Sequence, residues 1–176
     1  MTSLHYTEQG EGRPLVILHG LFGSGRNWQR VARRLAEHYR VITPDLRNHG
    51  RSPHLPGMSY PEMAADLFEL MERLDLPSTL LMGHSMGGKV AMTAALQQPE
   101  KVTALIVVDI APVRYRHSFE PIFQALKSIP VEWIRSRQEA ERLLAGYIDD
   151  SVLRAFLLQN LNRDESGFHW RINLDA

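Results

Sequence analysis

The sequence predicts an α/β fold: a mainly parallel sheet flanked by helices, followed by a helical lid. Two observations predict the sheet. The continuous apolar run Leu15-Val16-Ile17-Leu18 marks a strand buried on both faces, and Leu105-Ile106-Val107-Val108 lies in a second β-rich run. Amphipathic stretches at helical spacing separate the runs, the pattern of βαβ units. A third observation marks the lid. After Pro112 the apolar runs stop and helical spacing continues alone.

The elements follow in order. Residues 3–7 form a short candidate strand, and Gly10-Glu11-Gly12-Arg13-Pro14 is a turn by composition. The run 15–18 is a buried strand that opens into the glycine-rich loop His19-Gly20-Leu21-Phe22-Gly23-Ser24-Gly25. Residues 27–39 place Trp28, Val31, Ala32, Leu35 and Ala36 on one helical face. Residues 40–45 are the next strand, and residues 46–59 a polar loop. A helix starts at Tyr60, with Ser59 as N-cap, Pro61 in the first turn and Glu62 closing a capping box. A strand over Thr79-Leu80-Leu81-Met82 runs into Gly83-His84-Ser85-Met86-Gly87, and a helix continues to Gln98. Residues 102–110 are β-rich and include Asp109. Residues 119–129, 138–147 and 151–161 read as helices with no buried strand between them, and residues 168–172 as a short terminal strand. The division is therefore a core over 1–111 and a helical cap over 112–176.

Composition narrows the class. With 44% hydrophobic and 23% charged residues among 176, the chain is an ordinary globular domain. Twenty basic residues balance twenty acidic ones, which argues against nucleic acid or an anionic membrane as partner. There are no cysteines, hence no disulfides and no thiolate metal sites. No apolar run approaches ~20 residues, the length that spans a bilayer. A cytoplasmic protein without a signal peptide is the expectation.

The chemistry centres on Gly83-x-Ser85-x-Gly87. Between a strand and a helix this motif is a nucleophile elbow: the turn is so tight that its flanks must be nearly free of side chain, and the serine hydroxyl stands exposed. The following helix aims unpaired N–H groups at whatever Ser85 attacks. Serine needs a base, an acid that orients the base, and oxyanion donors. The donors expected are the N–H groups of Met86 and Leu21. Asp109 ends the strand after the serine's helix and is the candidate acid; an ordinary strand-end aspartate capping a turn is the bland alternative. Asp45 also ends a strand but precedes the serine, and reads with Arg47, Asn48 and His49 as a structural loop network. Phe22 and His84 are candidate pocket residues. For the base, His117 and His169 follow Asp109 but lie in the lid, and His19, His49 and His84 precede it. None stands out. His49 and His54 sit five apart in a loop, which does not suit a metal site.

Four segments occur together and in order: His19-Gly20-Leu21-Phe22-Gly23-Ser24, Asp45-Leu46-Arg47-Asn48-His49-Gly50-Arg51-Ser52-Pro53, Gly83-His84-Ser85-Met86-Gly87-Gly88-Lys89 and Val108-Asp109-Ile110-Ala111-Pro112-Val113. They resemble the α/β-hydrolase superfamily and, within it, the YbfF-type esterases, nearly end to end. The resemblance implies Ser85 as nucleophile, Asp109 as acid, small-molecule acyl esters or thioesters as substrates, and no metal or organic cofactor. It also implies two more strands, flanking helices and the catalytic histidine beyond residue 176, so the chain reads as a truncated form whose own activity is in question.

Rival readings remain. Gly83-x-x-x-x-Gly88-Lys89 approaches a phosphate loop, but Val90 stands where a Mg²⁺-holding Ser or Thr belongs. A non-catalytic binding remnant, a carbon–carbon bond hydrolase and a perhydrolase would all carry the same elbow. Dehalogenases and epoxide hydrolases would want Asp at position 85.

Overall fold

The computed structural model describes residues 2–116 and 118–176. Five strands form one sheet: β1 (Tyr6–Gln9), β2 (Arg13–Leu18), β3 (Tyr39–Pro44), β4 (Thr79–His84) and β5 (Val102–Val108), in the order β1-β3-β2-β4-β5. Strands β2 to β5 pair in parallel, and β1 runs antiparallel to β3 at one edge. The predicted α/β class with a mainly parallel sheet is what forms.

Strand alternation builds two apolar layers. Leu15, Ile17, Val41 and Leu80 pack with Ala32 and Trp28, the side of α1 (Gln29–Leu35). Val16, Leu18, Ile42 and Leu81 pack with α2 (Tyr60–Arg73) and α3 (Met86–Gln97) through Met63, Leu67, Met71, Val90 and Ala94. Period two on the strands and helical spacing on their partners thus cover both faces of β2, β3 and β4. Helix α2 opens with the expected capping box between Ser59 and Glu62, a device that stabilises a helix by about 1 kcal/mol.

Several boundaries differ from the expectation. β1 lies at Tyr6–Gln9 rather than at 3–7, because its pairing with Val41–Pro44 fixes it, including a Thr7–Thr43 hydroxyl contact of 2.7 Å. The stretch expected as one helix over 27–39 begins as a 3-10 turn at Gly25–Trp28 and yields Tyr39 to β3.

Among the described residues, strand β5 has only β4 as a partner. Leu105, Ile106 and Val107 are 38%, 46% and 36% exposed, so an apolar strand meets solvent at its edge and on both faces.

The chain divides into two units, residues 1–113 with Ala176, and residues 114–175. The second unit contains α4 (Glu120–Lys127), α5 (Arg137–Leu144) and α6 (Ser151–Leu157). It ends in an antiparallel hairpin, β6 (Leu161–Asp164) with β7 (Gly167–Trp170). Among the described residues no strand interrupts the three helices, as expected, but the helix expected over 151–161 ends at Leu157, and after a 3-10 turn Leu161 opens the unexpected strand β6. Arg154 joins α6 to α5 through Glu141 at 2.7 Å. The Arg137 guanidinium holds the Leu158 and Leu161 carbonyls. Among the described residues no helix is long and apolar enough to cross a membrane.

Candidate active site

Parallel pairing puts the carboxyl ends of β2 to β5 on one side, and the residue after each strand bears chemistry. His19 follows β2, Asp45 follows β3, Ser85 follows β4 and Asp109 follows β5. Chain order reverses between β2 and β4, and ligands favour such a crevice. His19, Gly20 and Ser85 lie there.

Ser85 has φ 50° and ψ −116°, a strained setting for a residue with a side chain. Its N–H donates to Val108 O at 3.0 Å, and its carbonyl accepts from Lys89 N–H at 3.1 Å as α3 begins. The turn closes because its glycines touch backbone. A Cβ on Gly83 would lie 2.2 Å from Gly87 O, and one on Gly87 2.5 Å from the Leu18 and His19 carbonyls. No imidazole hydrogen-bonds the Ser85 hydroxyl among the described residues.

The glycine-rich loop turns back beside the serine. A Cβ on Gly20 would stand 3.3 Å from Ser85 Cβ. Gly23 N–H donates to Gly20 O at 3.0 Å and closes the turn around Leu21 and Phe22, with Phe22 at φ 62°. Leu21 N–H has no partner among the described residues, and Met86 N–H, first in α3, has no acceptor within its helix. Phe22 is 4% exposed and offers a ligand little surface. His84 offers more, with 38% of its side chain exposed.

Asp109 takes φ 54° and turns a largely open carboxylate toward His84, with Oδ2 3.8 Å from His84 Nε2. His84 also stacks edge-on against Trp28, with ring centroids 6.2 Å apart. Sequence reasoning missed this His84–Asp109 approach. Adjacent strand ends were the available signal.

Other histidines are committed elsewhere. His19 is buried, its Nδ1–H donating to Gly20 O and its Nε2 accepting from Leu46 N–H, both at 2.9 Å. Burial pushes His19 down to about 4, with a further lowering from His84 and a partial offset from the Gly20 bond. His49 lies 5.1 Å from it, ring to ring, and donates from Nδ1 to Arg47 O at 2.9 Å. Its Nε2 is buried without a hydrogen-bond partner among the described residues. Burial, with His19 beside it, pushes His49 down to about 3. His169 faces Asp164 at 3.4 Å within the terminal hairpin. His117 lies outside the described residues.

Asp45 belongs to a structural network, as its sequence context suggests. It accepts from Gly25 N–H at 2.7 Å and Arg51 N–H at 2.9 Å. Arg47 pairs with buried Asp66 at 2.5 and 2.8 Å, and Asn48 binds the loop at Gly57 and Leu55.

The family model for the alpha/beta hydrolase fold matches residues 13–171. The chain is an α/β hydrolase. This hydrolase is 42% identical, over 96% of its length, to the sn-1-specific diacylglycerol lipase ABHD11 of Danio rerio. It is 35% identical, over 94% of its length, to Esterase YbfF of Escherichia coli (strain K12). A solved marine microorganism esterase superposes over 99% of the hydrolase with a TM-score of 0.96 and 46% identity. The hydrolase spans 56% of that lipase, 64% of YbfF and 70% of the solved esterase.

Proposed function

We propose that this α/β hydrolase carries the nucleophile, acid and oxyanion donors of a serine esterase acting on carboxylic esters or thioesters. The strained Ser85, with the Gly20 backbone packed beside it, is the observation that carries the reading. The N–H groups of Leu21 and Met86, which have no backbone acceptor among the described residues, supply the donors.

In the reaction, Ser85 Oγ bonds to the acyl carbon while a base takes the hydroxyl proton. Leu21 and Met86 N–H groups hold the carbonyl oxygen as its charge develops. The protonated base then gives its proton to the departing alkoxide or thiolate, leaving an acyl-Ser85. Water, losing a proton to the same base, attacks the acyl carbon, frees the acid and restores Ser85. Asp109 orients the base in this scheme. The base is assigned to a histidine outside residues 1–176. His19 and His49 are buried and bonded elsewhere, and His169 is engaged with Asp164. Residues 112–176 are read as the cap, with His84 at the pocket and Phe22 supporting the loop. The names of the relatives, an esterase and a diacylglycerol lipase, make carboxylic esters and diacylglycerols the substrates to try; a cytoplasmic setting is part of the same reading.

A second reading, a ligand-binding remnant of the fold, is favoured by one observation: the Ser85 hydroxyl has no imidazole partner among the described residues. Hydrolysis of p-nitrophenyl acetate and butyrate separates the two. The chain is assayed beside a form continued through a C-terminal segment that brings a histidine. Turnover in the continued form, abolished by Ser85→Ala, supports the esterase. No turnover in either form supports the remnant.

A further inference from the structure

We propose that His19 is a positioning residue for the oxyanion hole: its Nδ1–H, by holding the Gly20 carbonyl, sets the direction of the Leu21 N–H beside Ser85. The inference rests on the esterase reading for its purpose, but its geometry stands without it.

The Gly20–Leu21 peptide is trans and planar, so its C=O and N–H point to opposite sides. Whatever fixes Gly20 O therefore fixes Leu21 N–H. Two donors hold Gly20 O: Gly23 N–H at 3.0 Å and His19 Nδ1–H at 2.9 Å. The imidazole is itself clamped, because Nε2 accepts from Leu46 N–H at 2.9 Å and the ring is only 1% exposed. An acceptor at Nε2 forces the neutral tautomer with hydrogen on Nδ1. A backbone donor on the β3 loop thus sets the tautomer, and the tautomer holds the carbonyl. The Leu21 N–H is left on the side away from the ring, without a partner among the described residues. The same peptide begins at Gly20, whose missing side chain lets it approach Ser85 Cβ. A donor that needs no reorientation when charge develops is what an oxyanion site requires.

The test begins with the unaltered protein. Long-range nitrogen–proton spectra of His19 should show hydrogen on Nδ1 and a pyridine-type Nε2 at pH 7. Hydrogen on Nε2 overturns the proposal. Two variants follow. His19→Asn keeps an amide donor near the position of Nδ1, and His19→Leu keeps none. Both lose the acceptor for Leu46 N–H, so both should lose similar thermal stability. Only His19→Leu should change the Leu21 N–H residual dipolar coupling. In the continued, ester-cleaving form, His19→Leu should lower kcat by about 10²–10³-fold, with KM changed little. His19→Asn should stay within about 5-fold of the parent. An unchanged Leu21 coupling in folded His19→Leu, or an equal kcat loss in both variants, overturns the proposal. Absence of turnover in the parent defeats the esterase reading alone, since the tautomer and the coupling still decide the role of His19.

Discussion

Gly20 and Ser85 meet backbone to side chain: a Cβ built on Gly20 would fall 3.3 Å from Ser85 Cβ and 2.9 Å from His84 Nδ1. Two loops from neighbouring strands are thereby pressed together at the carboxyl end of the sheet. Gly20→Ala should push the loop off the serine and cost about 10²-fold in kcat, in line with loss of one oxyanion donor. Steady-state kinetics on a p-nitrophenyl ester, in the continued form, check this. Full activity in Gly20→Ala would show that the close approach has no catalytic use.

Ser85 itself stores strain. At φ 50° and ψ −116° a side chain is disfavoured, and such settings cost roughly 1–3 kcal/mol. Ser85→Gly should abolish turnover and raise stability by about 1 kcal/mol, read as a higher urea midpoint. An unchanged or lower midpoint would mean the elbow is not strained.

Much of this arrangement was legible in the sequence. The apolar runs at 15–18 and 105–108 gave two strands, and Ser59 with Glu62 gave the start of α2, since each rests on local chemistry. β1 was displaced because Thr7, Glu8 and Gln9 lie on an edge strand whose polar residues show no alternation, while buried Leu4 lies outside it. β6 was missed because Leu161–Asp164 follows α6 and a 3-10 turn without a break. The turn signal comes later, at Gly167 with φ 115°. At the site, Gly83, Ser85 and Gly87 announced the tight strand-to-helix turn. The clamp of His19 between Gly20 O and Leu46 N–H did not show, because it joins residues 27 positions apart.

Arg47 and Asp66 tie the loop after β3 to α2 with two bonds at 2.5 and 2.8 Å, both side chains nearly buried. Removing Asp66 leaves the nearly buried Arg47 with only the half-exposed Glu62, its carboxylate at 3.4 Å and its carbonyl at 3.3 Å. Asp66→Ala should therefore lower unfolding stability by roughly 1.5–3 kcal/mol, the usual worth of hydrogen bonds to a charged group, measured by urea denaturation. A loss under about 1 kcal/mol would show that the surviving Arg47 reaches water.

Acid should destabilise the fold through two imidazoles. His19 titrates at about 4 and His49 at about 3, against 6.5 for the free side chain. The groups facing them are His84 for His19, and His19, His54 and Asp45 for His49, of which only Asp45 favours protonation. Between pH 6.5 and 4 the unfolded chain binds more protons than the folded one. Stability is thus complete above about 6.5 and falls as pH drops. Each tenfold loss of proton affinity on folding is worth about 1.4 kcal/mol, so both sites together should remove roughly 3–4 kcal/mol between pH 7 and 5. His49→Leu should about halve that slope. A flat profile would contradict the burial of neutral imidazoles.

The central claim is that Ser85 is the nucleophile. Intact-protein mass spectrometry during hydrolysis of p-nitrophenyl butyrate, on the form continued by a histidine-bearing C-terminal segment, tests it most directly. The account predicts a butyryl adduct that maps to the peptide holding Ser85, rising within the burst and absent in Ser85→Ala, which should not turn over. Hydrolysis that persists in Ser85→Ala, with no adduct on that peptide, would contradict it.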